Sequence, residues 1–231
     1  MKAVYLDHMG DDLSVVNAAR VSFNKGSEWL YEGPAGSEVS PSHPDARRVL
    51  SVRDERLIEY LANHNHWTPF AHTAIKLRVT APVPIRTQCF KHKAGFVENE
   101  ESRRYIATRP ELFVPENFRL KPEGSVKQGS GDIHPMSEPW KGLYVEHCQN
   151  AIDLYMEMIE DEVCPEQARF ILPQGVQVNW IWTGNLAAYA RFYNQRTDPH
   201  AQQEIQDLAE EIGAIINPLF PISWEALTAR F

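Results

Sequence analysis

The sequence predicts an α+β fold in a single domain, a small sheet flanked by several helices. Three observations predict it. Two segments alternate with period two, as half-buried strands do: Ile75, Leu77 and Val79 against Lys76, Arg78 and Thr80, and then Val176, Val178, Trp180 and Trp182. Several longer segments repeat apolar residues at helical spacing. The 231-residue chain has no internal repeat, and its two Gly/Ser/Pro-rich stretches do not separate segments that could each build a core. Those stretches, near 25–44 and 121–139, read as surface-loop insertions.

The elements follow in order. A helix is expected from Asp45 to about His64, with Leu50, Leu57, Ile58 and Leu61 on its apolar face. The first strand covers about Ala74 to Val83. Pro84 then opens a helix at its first turn, carrying Ile85 to about Lys93. A long helix fits Ser137 to Glu162, with Trp140, Leu143, Tyr144, His147, Ala151, Leu154, Tyr155, Met158 and Ile159 as its buried stripe. The second strand is followed by a helix from Asn185 to Arg196. Asp198 can cap the next helix, with Pro199 at its first position and Ile205, Leu208, Ile212 and Ile215 facing inward. A short last helix follows Pro221, capped by Ser223.

Composition narrows the function. Apolar residues make up 43% and charged residues 23%, ordinary for a soluble globular protein. No apolar run reaches the roughly 18 residues that a membrane span needs. The opening MKAVYLDHMGDDLS carries no signal-peptide pattern, so the cytoplasm is the expected compartment. A net charge of −8 argues against a duplex nucleic-acid partner, whereas a small anionic substrate needs only a local group of cations. Cys89, Cys148 and Cys164 show no paired spacing, which argues against a disulfide framework and a cysteine zinc site.

The chemistry concentrates in Gln88 to Tyr105, QCFKHKAGFVENEESRRY. Lys91, His92, Lys93, Arg103 and Arg104 bring cations close together, and Asn99, Glu100 and Ser102 add hydrogen-bonding groups. Such a set suits phosphate recognition, but it also suits a solvated basic loop. His64, His66, His72, His92 and His200 raise a metal-dependent phosphoester hydrolase as an alternative, although no H-E-x-x-H spacing accompanies them. A nucleotide-binding protein using the His/Lys/Arg cluster is another alternative. Ser102 has no neighbouring base and suits phosphate binding better than nucleophilic attack. Cys89 reads as a small buried apolar residue.

Lys91-His92-Lys93, eight residues and then Ser102 resemble the R-H-R, seven residues, S signature of flavin-dependent thymidylate synthases. Five further motifs occur in the order seen in that family: A-A-R-V-S-F from Ala18; I-E-Y-L-x-x-H-x-H-x-T-P-F-x-H from Ile58; A-R-F-I-L-P from Ala168; W-T-x-N-L from Trp182; and N-x-R-x-D-x-H-A-Q-x-E-I from Asn194. The resemblance spans nearly the whole chain apart from the two loop stretches.

The resemblance implies conversion of dUMP to dTMP with FAD as cofactor, methylenetetrahydrofolate as one-carbon donor and NADPH as reductant. It also implies a homotetramer with shared active sites, no metal, and neither nucleic acid nor membrane as partner. Flavin contacts would fall on Ser22, Thr68, Lys91, His92, Lys93, Asn99, Glu100, Asn185 and His200, with Arg191 standing where the family has an Asn. Contacts to dUMP would fall on Gln88, Lys91, Glu100, Glu101, Ser102, Arg103, Arg104, Arg169 and Arg196. His66 matches a histidine near the flavin and folate. Ala71 and Ala187 depart from a Glu and an Arg in the family pattern. The catalytic expectations are Arg196 and His66, the latter by its place near flavin and folate and with a structural histidine as its alternative reading. C5 of uracil is a poor nucleophile, and a fixed guanidinium can stabilise the ring once N3 has lost its proton.

Overall fold

The computed structural model describes residues 1–123 and 129–229. The middle of the second expected loop, 124–128, lies outside them. In chain order the elements are β1 (Lys2–Met9), α1 (Asp12–Arg20), β2 (Leu30–Glu32), β3 (Arg47–Val49), α2 (Val52–Asn63), β4 (Ala74–Pro82), α3 (Val83–Cys89), β5 (Phe96–Glu100), α4 (Ser137–Glu160), α5 (Pro165–Ala168), β6 (Gln177–Gly184), α6 (Leu186–Arg196), α7 (Gln203–Ile216) and α8 (Pro221–Thr228). No helix of the described residues is long and apolar enough to cross a membrane.

The architecture is the expected α+β one. Four antiparallel strands run in the order β1-β4-β6-β5. The alternation of β4 and β6 is realised face by face: Leu77 pairs with Trp182 and Val79 with Trp180, and all four side chains are buried. They share one core with Ile58 of α2, Phe192 of α6 and Ile205, Leu208, Ile212 and Ile216 of α7. Trp182 is held on three sides, stacked on Phe96 at 4.3 Å and edge-on to Phe192 at 4.9 Å and Tyr189 at 5.4 Å. Truncating so enclosed an aromatic costs about 3–5 kcal/mol.

Several boundaries differ from expectation. The helix expected from Asp45 begins only at Val52, because Arg47–Val49 pairs with Leu30–Glu32 in a second, two-stranded sheet. Ser51 caps α2, accepting from the Asp54 amide at 3.2 Å. The same pairing puts strand structure inside the stretch expected to be only loop. α3 ends at Cys89, so Lys91, His92 and Lys93 lie beyond it. Asp198 caps no helix; its carboxylate accepts from the backbone and ring of His200, and α7 starts at Gln203. Ser223 lies inside α8, with its amide donating to Asp12 across 2.9 Å.

α4 has nearly its expected length, but its buried face is turned to one side of the expected stripe, keeping Tyr155 and adding Cys148 and Ile152. Cys148, Ile152 and Tyr155 are buried, whereas Trp140, Leu143 and Leu154 are 53%, 57% and 44% exposed. The helix does not rest on the sheet. It packs on the segment before it, where Tyr144 donates to the Phe113 carbonyl at 2.7 Å and Tyr155 to the Ile106 carbonyl at 3.2 Å.

Candidate active site

Beyond α3 the chain makes a tight turn, with the Lys91 amide donating to Gln88 O at 3.3 Å and the His92 amide to Cys89 O at 3.0 Å. This turn carries the His92 ring inward, leaving the residue 7% exposed and edge-on to Phe192 at 5.0 Å. Arg196, at the end of α6, donates from Nε to His92 Nε2 at 2.9 Å and from Nη1 to Gln88 Oε1 at 3.4 Å. Gln88 in turn donates to Gln202 Oε1 at 2.8 Å. A guanidinium can only donate, so His92 Nε2 must carry a lone pair and its proton sits on Nδ1. Burial, then the charges of Arg196 and Arg191, push the His92 pKa down to about 4. The ring is therefore neutral at physiological pH and orients Arg196. Gln88, Arg196, His200 and Gln202 line a cavity of about 570 Å³.

A second cavity, about 500 Å³, opens at the end of β5. Glu100, Glu101, Ser102, Arg103 and Arg169 line it together with Arg86 of α3. Asn179 of β6 donates to Glu101 at 3.0 Å and is itself held by Thr80 of β4. The Nε atoms of Arg86 and Arg103 are shielded from solvent and make no hydrogen bond. Three guanidinium groups, those of Arg86, Arg103 and Arg169, beside a serine hydroxyl are the chemistry of an anion site. Arg104 turns outward to pair with Glu166, so one chain does not bring it into this cavity.

The third cavity, about 660 Å³, is lined by Trp67, Ala94, Gly95, Asn185, Ala187 and Arg191 among others. Gly95 has φ +82°, and a Cβ there would stand 2.8 Å from Ala188 Cβ and 2.9 Å from Asn185 Nδ2. The turn after α3 thus lies directly on the N-terminus of α6, where Asn185 caps the helix by accepting from the Ala188 amide at 2.9 Å. Arg191 donates to Ala94 O. A cleft of this size, with an aromatic wall and a few convergent polar groups, fits the planar ring of a flavin. Thr68 and His66 flank Trp67 in sequence; His66 is exposed, its ring 5.9 Å from that of Tyr60 and 6.2 Å from that of His64. Lys91, Lys93 and Asn99 are exposed, with Lys93 paired to Glu98. Ser22, in the turn after α1, is exposed beside a separate basic cavity containing Arg20, Lys25, Arg53 and Arg56.

Arg86 is the residue that the sequence reading missed. It lies two positions before the motif segment, and only its place on α3 brings it to Glu100. Among the described residues no three His, Cys, Asp or Glu side chains gather as a metal site. Burial pushes the Cys89 thiol up to about 12, so it is no thiolate at neutral pH.

Residues 5–222 match the model of the family described as thymidylate synthase complementing protein. A flavin-dependent thymidylate synthase of Thermosipho africanus is 33% identical over 222 residues, 96% of this chain and 88% of that protein. Another, of Thermotoga neapolitana, is 33% identical over 226 residues, with the same coverage. A crystal structure of the UMP/dUMP methylase PolB from Streptomyces cacaoi, bound with 5-Br UMP, superposes with a TM-score of 0.79. It is 25% identical, over 99% of this chain and 94% of that one.

Proposed function

The chain belongs to the thymidylate synthase complementing family, and from that premise we propose that it is a flavin-dependent thymidylate synthase, methylating dUMP to dTMP. FAD supplies, when bound, the hydride that reduces the transferred carbon, with methylenetetrahydrofolate as one-carbon donor and NADPH as reductant. The observation that carries the reading is the Arg196–His92 contact, which joins two motif segments 104 residues apart.

The residues divide the work. Arg196, preset by His92 and Gln88, faces the uracil and stabilises the charge left when N3 loses its proton. That raises the electron density at C5 without a thiolate, consistent with a buried, protonated Cys89. Ser102, Arg103 and Arg169 receive the phosphate, joined by Arg104, while Glu100, Glu101, Lys91 and Gln88 hold the rest of the nucleotide. Asn185, Arg191, Thr68, His92, Lys93, Asn99, Glu100, His200 and Ser22 contact the flavin, and His66 lies near flavin and folate.

The proposed assembly is a homotetramer with shared sites. The exposed apolar stripe of α4 supports it, since a second copy would cover the side chains that one chain leaves open. The proposed compartment is the cytoplasm, with neither a membrane nor a nucleic acid as partner; the net charge of −8 supports the last point. Titrating FAD into the purified protein, with and without dUMP, tests the reading through quenching of flavin fluorescence. Saturable quenching is expected, and its absence under both conditions contradicts the assignment.

A further inference from the structure

Arg86 lies outside every motif that carries the family resemblance, yet it is built into the nucleotide cavity from two sides. Arg86 and Phe90 are four residues apart, so their side chains share one face around the end of α3. The guanidinium carbon lies over the Phe90 ring, 5.3 Å from its centroid. Phe90 is in turn edge-on to the buried Trp180 at 5.6 Å. The planar cation is thereby braced on a core aromatic rather than hanging in solvent. From that brace its Nε reaches to 3.4 Å from Glu100 Oε2. The contact is an ion pair without hydrogen-bond geometry, so the shielded Nε acts on Glu100 through its charge.

We propose that Arg86 is a positioning residue for Glu100: braced on Phe90, it holds the Glu100 carboxylate on the wall of the cavity as an acceptor for the bound nucleotide. The inference rests on the assignment of that cavity to dUMP. The charged groups facing Glu100 are Arg86 from α3, Glu101 beside it in the chain, Arg103 after β5 and Arg169 from the turn before β6. Burial, and secondarily Glu101, raise the pKa of Glu100, while Arg86 opposes them. Without Arg86 the raising influences stand alone. Glu100 then takes up a proton at higher pH, and a protonated carboxyl no longer offers two acceptor oxygens.

The test is dUMP binding to the FAD-loaded protein, followed by calorimetry from about pH 5 to about pH 9, a range that spans perturbed carboxylates. Arg86→Gln is expected to weaken dUMP binding about tenfold near neutral pH, the equivalent of one pKa unit, and to move the acid limb of the binding profile to higher pH. Arg86→Lys, which restores charge without the planar stacking, should bring the limb most of the way back. Glu100→Gln should flatten the limb, and Arg86→Gln added to it should change affinity by less than about twofold, because the two residues act through one contact. An acid limb in Arg86→Gln that coincides with the wild type overturns the proposal, as do Arg86→Gln and Glu100→Gln effects that multiply. Should Arg86→Gln fail to fold or to bind FAD, the same cycle run with Arg86→Met, which also removes the charge, decides in the same way. Wild-type protein that binds FAD but no dUMP would instead overturn the assignment of the cavity itself.

Discussion

Arg196 Nε donates to His92 Nε2 across 2.9 Å, so the cation assigned to the uracil is oriented by a histidine that must stay neutral. Protonating that buried ring would set two donors against each other. The burial and charges that hold the His92 pKa near 4 therefore also preserve the arrangement of Arg196.

The His92 ring should titrate far below an exposed histidine. Its folded-state pKa is depressed from 6.5 to about 4, so the unfolded chain binds more protons between those values. Stability from this group is fully present above about pH 6.5 and is lost as pH falls toward 4. The loss is on the order of 2–3 kcal/mol. Urea unfolding of wild type and His92→Asn across that window should show the steeper pH slope in the wild type. Parallel slopes, or a ring that titrates near 6.5 by NMR, would contradict the neutral-acceptor role.

Arg196→Ala should keep FAD and retain measurable dUMP binding, because the anion site around Ser102 and Arg169 is a separate cavity. Formation of dTMP should fall by a factor on the order of 100 or more, as when a preorganised electrostatic donor is removed. Arg196→Lys should recover little, since an ammonium cannot donate to His92 and face the uracil with the same planar fork. Turnover at saturating dUMP is the measurement. Near-normal turnover in the Ala variant removes Arg196 from the mechanism.

Replacing Cys89, Cys148 and Cys164 together by Ala should leave dTMP formation. Cys89 and Cys148 are buried, and Cys164 is exposed. Removing two buried thiols lowers thermal stability modestly. An inactive variant that is folded and loaded with FAD would point to a thiolate route.

Leu143→Asp on the outward stripe of α4 should cost the isolated fold little, within the roughly 0.5 kcal/mol typical of surface changes. If that stripe is covered by a second copy, the substitution buries a charge and should break the assembly. Light scattering should then report a tetramer for the wild type and a smaller species for the variant. An intact tetramer carrying the substitution would move the interface elsewhere; a fully active wild-type monomer would contradict shared sites altogether.

Much of this was legible in the sequence where one face of an element is buried. β4 and β6 alternate because one side of each meets the core, and Asn185 stood at a helix start because its side chain caps α6. β1 left no signal: it is an edge strand with Val4, Tyr5 and Leu6 all exposed, so nothing enforces alternation. β5 reads as a charged run, V-E-N-E, since only its first residue, Phe96, enters the core, while Val97 and Asn99 are exposed and Glu100 lines the cavity. The stripe on α4 showed that a face is apolar but not what covers it. Motif residues named His92 and Arg196 separately; their contact depends on how the turn at Gly95 lies on α6. Arg86 carried no local pattern, because its partner Glu100 arrives through the pairing of β5 with β6.

The most direct measurement of the central claim is dTMP formation by apoprotein stripped of flavin and then reconstituted. Purified protein is given dUMP, methylenetetrahydrofolate and NADPH, with and without added FAD, and dTMP is quantified by chromatography. The expected result is dTMP that appears only when FAD is present and that survives removal of all three cysteines. Formation of dTMP without flavin, or none from a protein that binds both FAD and dUMP, would contradict the account.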